Sequence, residues 1–71
     1  MTMIFYVLET GNAITRTITT NCHSMADAEN KLAERISHYQ DEYVVTVLKR
    51  KAIVSFPNDK YVFLDICVES R

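Results

Sequence analysis

The residues best suited to metal binding or nucleophilic catalysis are two cysteines and two histidines. Cys22 and His23 are adjacent, whereas His38 and Cys67 lie far along the chain. A structural zinc site usually has about four ligands, paired roughly two to four residues apart on a turn. The cysteines and histidines of this chain contain only one such adjacent pair, so we predict that they do not bind a metal. We expect the thiol to be buried, and the imidazoles to lie on the surface or to cap a helix.

A catalytic Cys–His pair would also need a third orienting group, a substrate cleft and an oxyanion-binding loop. The chain has one glycine, which leaves no glycine-rich loop. The acidic residues that might pair in a site are scattered along the chain: Asp41, Glu42, Asp59, Asp65 and Glu69. Because a two-carboxylate site needs converging side chains, we predict a non-enzymatic protein with no catalytic residues and no cofactor.

The basic run Lys49, Arg50 and Lys51 suggests a nucleic-acid interface, since Tyr61 and Phe63 could stack on bases from a sheet. The glycines that separate aromatics in such platforms are absent. The formal net charge is −1, which disfavours a nucleic-acid clamp. An ordinary interpretation is a charged kink that protects a strand from aggregation. Binding of nucleic acid, or regulation of transcription, is therefore kept as the alternative function.

The N-terminal half predicts two strands. Residues 3–9 are almost continuously apolar, which is typical of a central strand. Gly11 begins a turn, and residues 13–22 alternate Ile14 and Ile18 with threonines, as a half-exposed edge strand does.

A helix should begin after Ser24, a favourable N-cap residue followed by Asp27 three positions later. Its apolar residues recur at helical spacing: Met25, Ala28, Leu32, Ile36 and Tyr39. Over these positions the helix would be about 22 Å long, similar to a seven-residue strand. It can therefore cover one face of a small sheet.

The remaining residues predict a long hairpin, with residues 43–56 and 60–69 joined by a turn at Pro57. Pairing Phe56 with Lys60 places Ile53 opposite Phe63 and Lys51 opposite Asp65. Fourteen extended residues would reach roughly 46 Å, about twice the helix length. The first strand should therefore bend or bulge near residues 49–51, or the hairpin should project.

The predicted fold is α+β: a single domain, residues 1–71, of β-β-α-β-β order. Its four-stranded, mostly antiparallel sheet carries one helix on one face. The strand order can be 2-1-4-3, with the first and last strands central, or 2-1-3-4, which leaves the last strand as an apolar edge. Burial of the most apolar strands favours the first order.

The final hairpin has apolar groups on both faces, whereas one helix covers only one. Aromatic residues on an uncovered face are typical anchors of protein interfaces. Tyr6 and Tyr43 are further candidates for this surface. We predict these partner-binding residues: Lys49, Arg50, Lys51, Ile53, Phe56, Tyr61 and Phe63. The spare face could also form a homodimer through the final hairpin.

The N-terminus has no basic start and no small-residue cleavage site, and its apolar run is too short to span a membrane. The two distant cysteines are expected to be reduced. We therefore predict a cytoplasmic protein without a membrane partner.

The element order, the size of 71 residues and the helix opening Ser24-Met-Ala-Asp-Ala-Glu29 resemble small phage-encoded host-takeover proteins, including some type I anti-CRISPRs. The resemblance implies an inhibitor that docks on a host protein or nucleoprotein complex and sterically blocks it. The resemblance does not assign a functional role to any individual residue of this chain.

Overall fold

The computed structural model describes residues 2–71 as one antiparallel sheet with one helix. Its elements are β1 (Met3–Thr10), β2 (Ile18–Cys22), α1 (Met25–Gln40), β3 (Val44–Leu48), β4 (Lys51–Phe56) and β5 (Lys60–Ser70). The strand order is β2-β1-β5-β4-β3, and α1 packs on one face. The α+β class and the antiparallel pairing are as predicted.

The predicted four-stranded sheet of β-β-α-β-β order is wrong, because the chain reverses at Lys49 and Arg50. Leu48 pairs with Lys51 across this turn, and Arg50 adopts a left-handed conformation with φ 58°. Residues 43–56 therefore form two strands rather than one bent strand. The first and last strands are central neighbours, but the additional reversal makes them antiparallel. The sheet is fully antiparallel as a result.

The register predicted for the final hairpin is confirmed. Ile53 pairs with Phe63, and Lys51 pairs with Asp65. Beyond these pairs, Arg50 lies in the β3–β4 turn, and its carbonyl accepts a hydrogen bond from the Ile66 N–H at 3.2 Å. Because side chains alternate along a strand, this register fixes which residues of β4 and β5 face the helix.

The predicted helix start is also confirmed. The Ser24 side chain accepts a hydrogen bond from the Asp27 N–H at 3.1 Å, and Asp27 accepts one from the His23 N–H at 2.8 Å. Two hydrogen bonds lower the pKa of Asp27 because they favour its charged form. The larger effect comes from the His23 backbone N–H and the smaller one from the Lys31 side chain. These contacts fix the first turn of α1 beside β2.

The hydrophobic core lies between α1 and one face of the sheet. It consists of Val7, Leu32, Ile36, Tyr39, Ala52, Val54, Val62 and Leu64. β2 is an edge strand, as predicted, but it begins only at Ile18; Ile14 precedes it and packs against the core. Within residues 2–71, α1 is neither long nor apolar enough to cross a membrane.

One carboxylate is fully buried within this core. Glu9 accepts hydrogen bonds from Arg35 Nε at 2.7 Å and Arg35 Nη2 at 3.0 Å, and from the Tyr39 hydroxyl at 2.8 Å. The hydrogen bond with Glu9 raises the pKa of the Arg35 guanidinium. Burial is the largest cause that raises the pKa of the Tyr39 hydroxyl, and its hydrogen bond to Glu9 is the second. The network attaches α1 to the central strand β1.

The loop after β1 docks against the beginning of β5. The Ala13 N–H donates to the Tyr61 carbonyl at 3.1 Å, and the Tyr61 N–H donates to Asn12 Oδ1 at 2.7 Å. Gly11 lies against the same backbone with φ 149°. A residue without a Cβ is needed for this close approach.

Candidate interaction surface

The sheet face opposite α1, called here the open face, is uncovered. Its apolar residues lie mainly on β3, β4 and β5, and their exposure is high for large hydrophobic groups: Val44 is 72% exposed, Leu48 47%, Phe63 39% and Tyr61 37%. We define the apolar patch as Leu8, Val44, Leu48, Ile53, Tyr61 and Phe63. Contiguous exposed apolar surface of this kind marks interaction sites.

The centre of the apolar patch is aromatic. Tyr61 and Phe63 stand two residues apart on β5, with ring centroids 4.8 Å apart. Ile53 lies directly opposite Phe63, and Ser55 lies opposite Tyr61. Tyr61 therefore has a small polar neighbour on β4 and an aromatic neighbour on its own strand.

The structure brings together only some of the predicted partner-binding residues. Ile53, Tyr61 and Phe63 lie in the apolar patch, and Lys51 lies beside them on the open face. Lys49 and Arg50 occupy the β3–β4 turn and border a cleft against α1, on the side of the sheet opposite the open face.

Phe56 lies on the other side of the sheet. Alternation along β4 places it with Val54, where its ring centroid is 6.0 Å from Tyr39 and 4.2 Å from Tyr43. Phe56 and Tyr43 are thus packed against the core rather than displayed with Tyr61. The prediction grouped Phe56 with Ile53 as partner-binding, although residues 53 and 56 of one strand face opposite sides of a sheet.

Sequence reasoning missed Val44, Leu48 and Leu8 as members of the patch. The available signal was the uncharged run of residues 44–48 followed at once by charge, which marks a short strand and its end. Treating residues 43–56 as one strand concealed it.

The open face is nearly balanced in charge. Lys51 lies directly opposite Asp65, so its charge is compensated by its neighbour. Glu69 binds Arg71 at 2.7 Å. Arg50 lies 3.8 Å from Glu29 of α1, with both side chains exposed. The basic run therefore does not form a basic surface continuous with the aromatic rings.

The other half of the open face carries a cleft of about 470 Å³ with a mixed lining, which includes Leu8, Tyr6, Asn21 and Glu69. The Tyr6 hydroxyl donates a hydrogen bond to Glu69 Oε1 at 2.9 Å. This bond raises the pKa of Tyr6 to about 12, and together with Arg71 it lowers the pKa of Glu69. The cleft thus contains a defined tyrosine–carboxylate pair, which sequence spacing did not reveal.

We expect Tyr6→Phe to raise the pKa of Glu69 towards its ordinary value, since the hydroxyl that favours the carboxylate is removed. The lowered pKa of Glu69 stabilises the fold above the ordinary pKa of 4.5, and this contribution is lost as the pH falls through the folded-state pKa. The raised pKa of Tyr6 has the opposite dependence: its contribution is present below pH 10.0 and is lost as the pH rises through about 12.

An NMR titration of the Glu69 side-chain carboxyl carbon tests this expectation. Tyr61→Phe is the matched control, because it removes a hydroxyl from the same face at the far end of β5. An unchanged Glu69 pKa in Tyr6→Phe would show that the hydrogen bond does not hold the carboxylate charged.

The sulfur and imidazole groups are dispersed. Cys22 lies on the helix side of β2 and Cys67 on the open face of β5, so the two free thiols are on opposite sides of the sheet. His23 precedes α1, whereas His38 lies in its last turn. Across residues 2–71, no three His, Cys, Asp or Glu side chains converge as a metal-binding group would.

Comparison of the chain with protein-family models, with curated proteins and with solved structures finds no match.

Proposed function

We propose that this protein is a non-enzymatic binding module that docks on another protein through the apolar patch of its open face. The observation that carries the proposal is the uncovered aromatic pair Tyr61 and Phe63, held within a sheet whose opposite face is buried under α1. Aromatic side chains are enriched at the centre of protein interfaces, where the residues that contribute most binding energy cluster.

The proposed mechanism is steric occlusion. A rigid sheet face that covers part of a host protein, or of a host nucleoprotein complex, prevents that surface from engaging its substrate. In this respect the protein would act as a stoichiometric inhibitor similar to phage-encoded anti-CRISPRs. We further propose that it acts in the cytoplasm, which the two free thiols support.

The charge distribution supports a protein partner over a nucleic acid. Lys51 is the basic strand residue nearest the apolar patch, and Asp65 lies directly opposite Lys51. A phosphate backbone would need an unopposed basic track beside the rings. Nucleic-acid binding is retained as an outcome of the experiment.

We expect the double variant Tyr61→Ala/Phe63→Ala to bind its partner about 1,000-fold more weakly, since central aromatic anchors each contribute about 2 kcal/mol and each 1.4 kcal/mol is about tenfold in affinity. The partner is first recovered from a host lysate with the wild-type protein, and its affinity is then measured by calorimetry. Ser55→Arg is a second test, because it places bulk and charge beside Tyr61 without removing a packed group. Glu34→Ala/His38→Ala, on the exposed side of α1, is the matched control.

Unchanged affinity in both open-face variants, with the fold verified by circular dichroism, would refute the proposal. Recovery of nucleic acid whose binding weakens steeply with salt would favour the alternative function instead.

A further inference from the structure

The β3 edge of the sheet is unpaired and carries no charge. β3 reads Val-Val-Thr-Val-Leu and ends the strand order, so one side of its backbone has no strand partner among residues 2–71. Its side chains are unusually exposed: Val44 72%, Val47 55% and Leu48 47%. Proteins commonly protect such edges with lysine, proline or a bulge, and β3 has none of these.

The opposite edge of the sheet is better protected. β2 is rich in polar residues, and Lys31 of α1 donates a hydrogen bond to the Asn21 carbonyl at 3.2 Å. The two edges therefore differ, and β3 is the one suited to strand addition.

We propose that β3 pairs antiparallel with β3 of a second copy of this chain, about a two-fold axis at Thr46. This register overlaps all five residues of β3. It places Val44 opposite Leu48 of the second copy on the open face, and Val45 opposite Val47 of the second copy on the helix side. Each exposed apolar group then gains an apolar neighbour, which is the unit of stabilisation in a sheet.

Charge complementarity identifies a second copy in this orientation as the occupant. The exposed acidic residues Asp41 and Glu42 precede β3, and the basic turn residues Lys49 and Arg50 follow it. Antiparallel pairing about Thr46 brings the acidic end of each strand to the basic end of the other, with Glu42 nearest Arg50 of the second copy. Parallel pairing would place like charges together, which is unfavourable.

This inference goes beyond the proposed docking function. The paired strands form one ten-stranded sheet, in which the two open faces are continuous and both helices lie on the other side. The contact is one short strand from each copy, so the dimer is small by the standard of stable interfaces and depends on concentration. It presents two apolar patches side by side.

Val47→Lys tests the inference because Val47 faces the helix side of the edge and does not contribute to the open face. We expect wild-type protein to shift from monomer to dimer with concentration in sedimentation velocity, and Val47→Lys to dimerise at least tenfold more weakly. Thr19→Lys, which adds the same charge to the other edge strand, should behave as wild type. A wild-type monomer at all concentrations, or a Val47→Lys dimer of unchanged affinity, would overturn it.

A charge exchange tests the register. Glu42→Lys and Arg50→Glu should each weaken the dimer by about tenfold, because each places like charges at both ends of the paired strands. Arg50→Glu also removes the 3.8 Å contact with Glu29 within one chain, so recovery is judged against Glu42→Lys alone. The double variant should dimerise more tightly than Glu42→Lys; a double variant that dimerises no better would rule out the Thr46-centred register. The Ser55→Arg variant separates the two proposals, since loss of the protein partner with a retained dimer assigns docking and self-association to different surfaces.

Discussion

Glu9→Ala is expected to lower the free energy of unfolding by about 3 kcal/mol, because it removes one partner from a buried ion pair. Glu9 is fully buried, and its carboxylate is the shared acceptor for Arg35 and Tyr39. The alanine leaves a gap in the core and an unpaired tyrosine hydroxyl. The Arg35 side chain is 32% exposed and can turn towards water. The expected loss of stability is therefore at the lower end of the range for buried ion pairs that lose one partner.

A chain of 71 residues is expected to have a total stability of roughly 4–10 kcal/mol, so this loss would remove about a third or more of it. Urea denaturation followed by circular dichroism measures the change. Glu9→Gln should be less harmful because the amide oxygen still accepts from Tyr39. Glu69→Ala is the matched control at a partly exposed carboxylate of the same sheet. If Glu9→Ala and Glu69→Ala were equally stable, the buried network would not be a major stabilising feature.

Gly11→Ala should destabilise the protein by about 3 kcal/mol or more, since it combines a steric clash with an unfavourable backbone conformation. A Cβ at Gly11 would overlap the Tyr61 carbonyl oxygen and lie 2.8 Å from Val62 Cα. These are backbone atoms of β5, so they cannot move aside without disturbing its pairing with β4. The φ of 149° at Gly11 is also rarely adopted by residues with side chains.

Asn12→Ala is the matched control for this loop. It removes the acceptor for the Tyr61 N–H but adds no atom, so the expected loss is about 1 kcal/mol. Amide hydrogen exchange should show weakened protection at the Gly11 end of the β1–β5 pair in Gly11→Ala and much less in Asn12→Ala. Equal protection in the two variants would contradict the close approach at Gly11.

The elements with local signals were predictable from the sequence. Ser24 and Asp27 mark the start of α1 independently of the rest of the fold. Pro57 and the residues after it mark the β4–β5 turn, and apolar alternation then fixes the register of the two strands. Each signal lies within a few residues of the feature it specifies.

The reversal at Lys49 and Arg50 was not predictable in this way. Tight turns usually contain glycine, asparagine or proline, and this one contains none. Arg50 adopts its left-handed conformation beside β5, where Ile66 donates to its carbonyl. Because the tertiary contact accompanies the turn, a local pattern of three basic residues indicated only a charged kink, and the β3 edge was overlooked.

The Glu9 network was missed for a related reason. Glu9 ends an apolar run and was counted as part of a strand, whereas Arg35 lies 26 residues away. The helical spacing of Arg35 and Tyr39 places both on one side of α1 and offered a clue. Only the packing of α1 on β1 shows that this side meets a buried carboxylate.

The pairing of β1 with β5 also has a consequence for how the chain folds. β3, β4 and β5 are joined by short turns and can associate with little loss of chain entropy, whereas β1 must close a loop that contains most of the domain. We therefore expect the three C-terminal strands to form ahead of the central pair. Until β1 arrives, both β3 and β5 are open edges, so the partly folded chain is at its most aggregation-prone just before the sheet is completed.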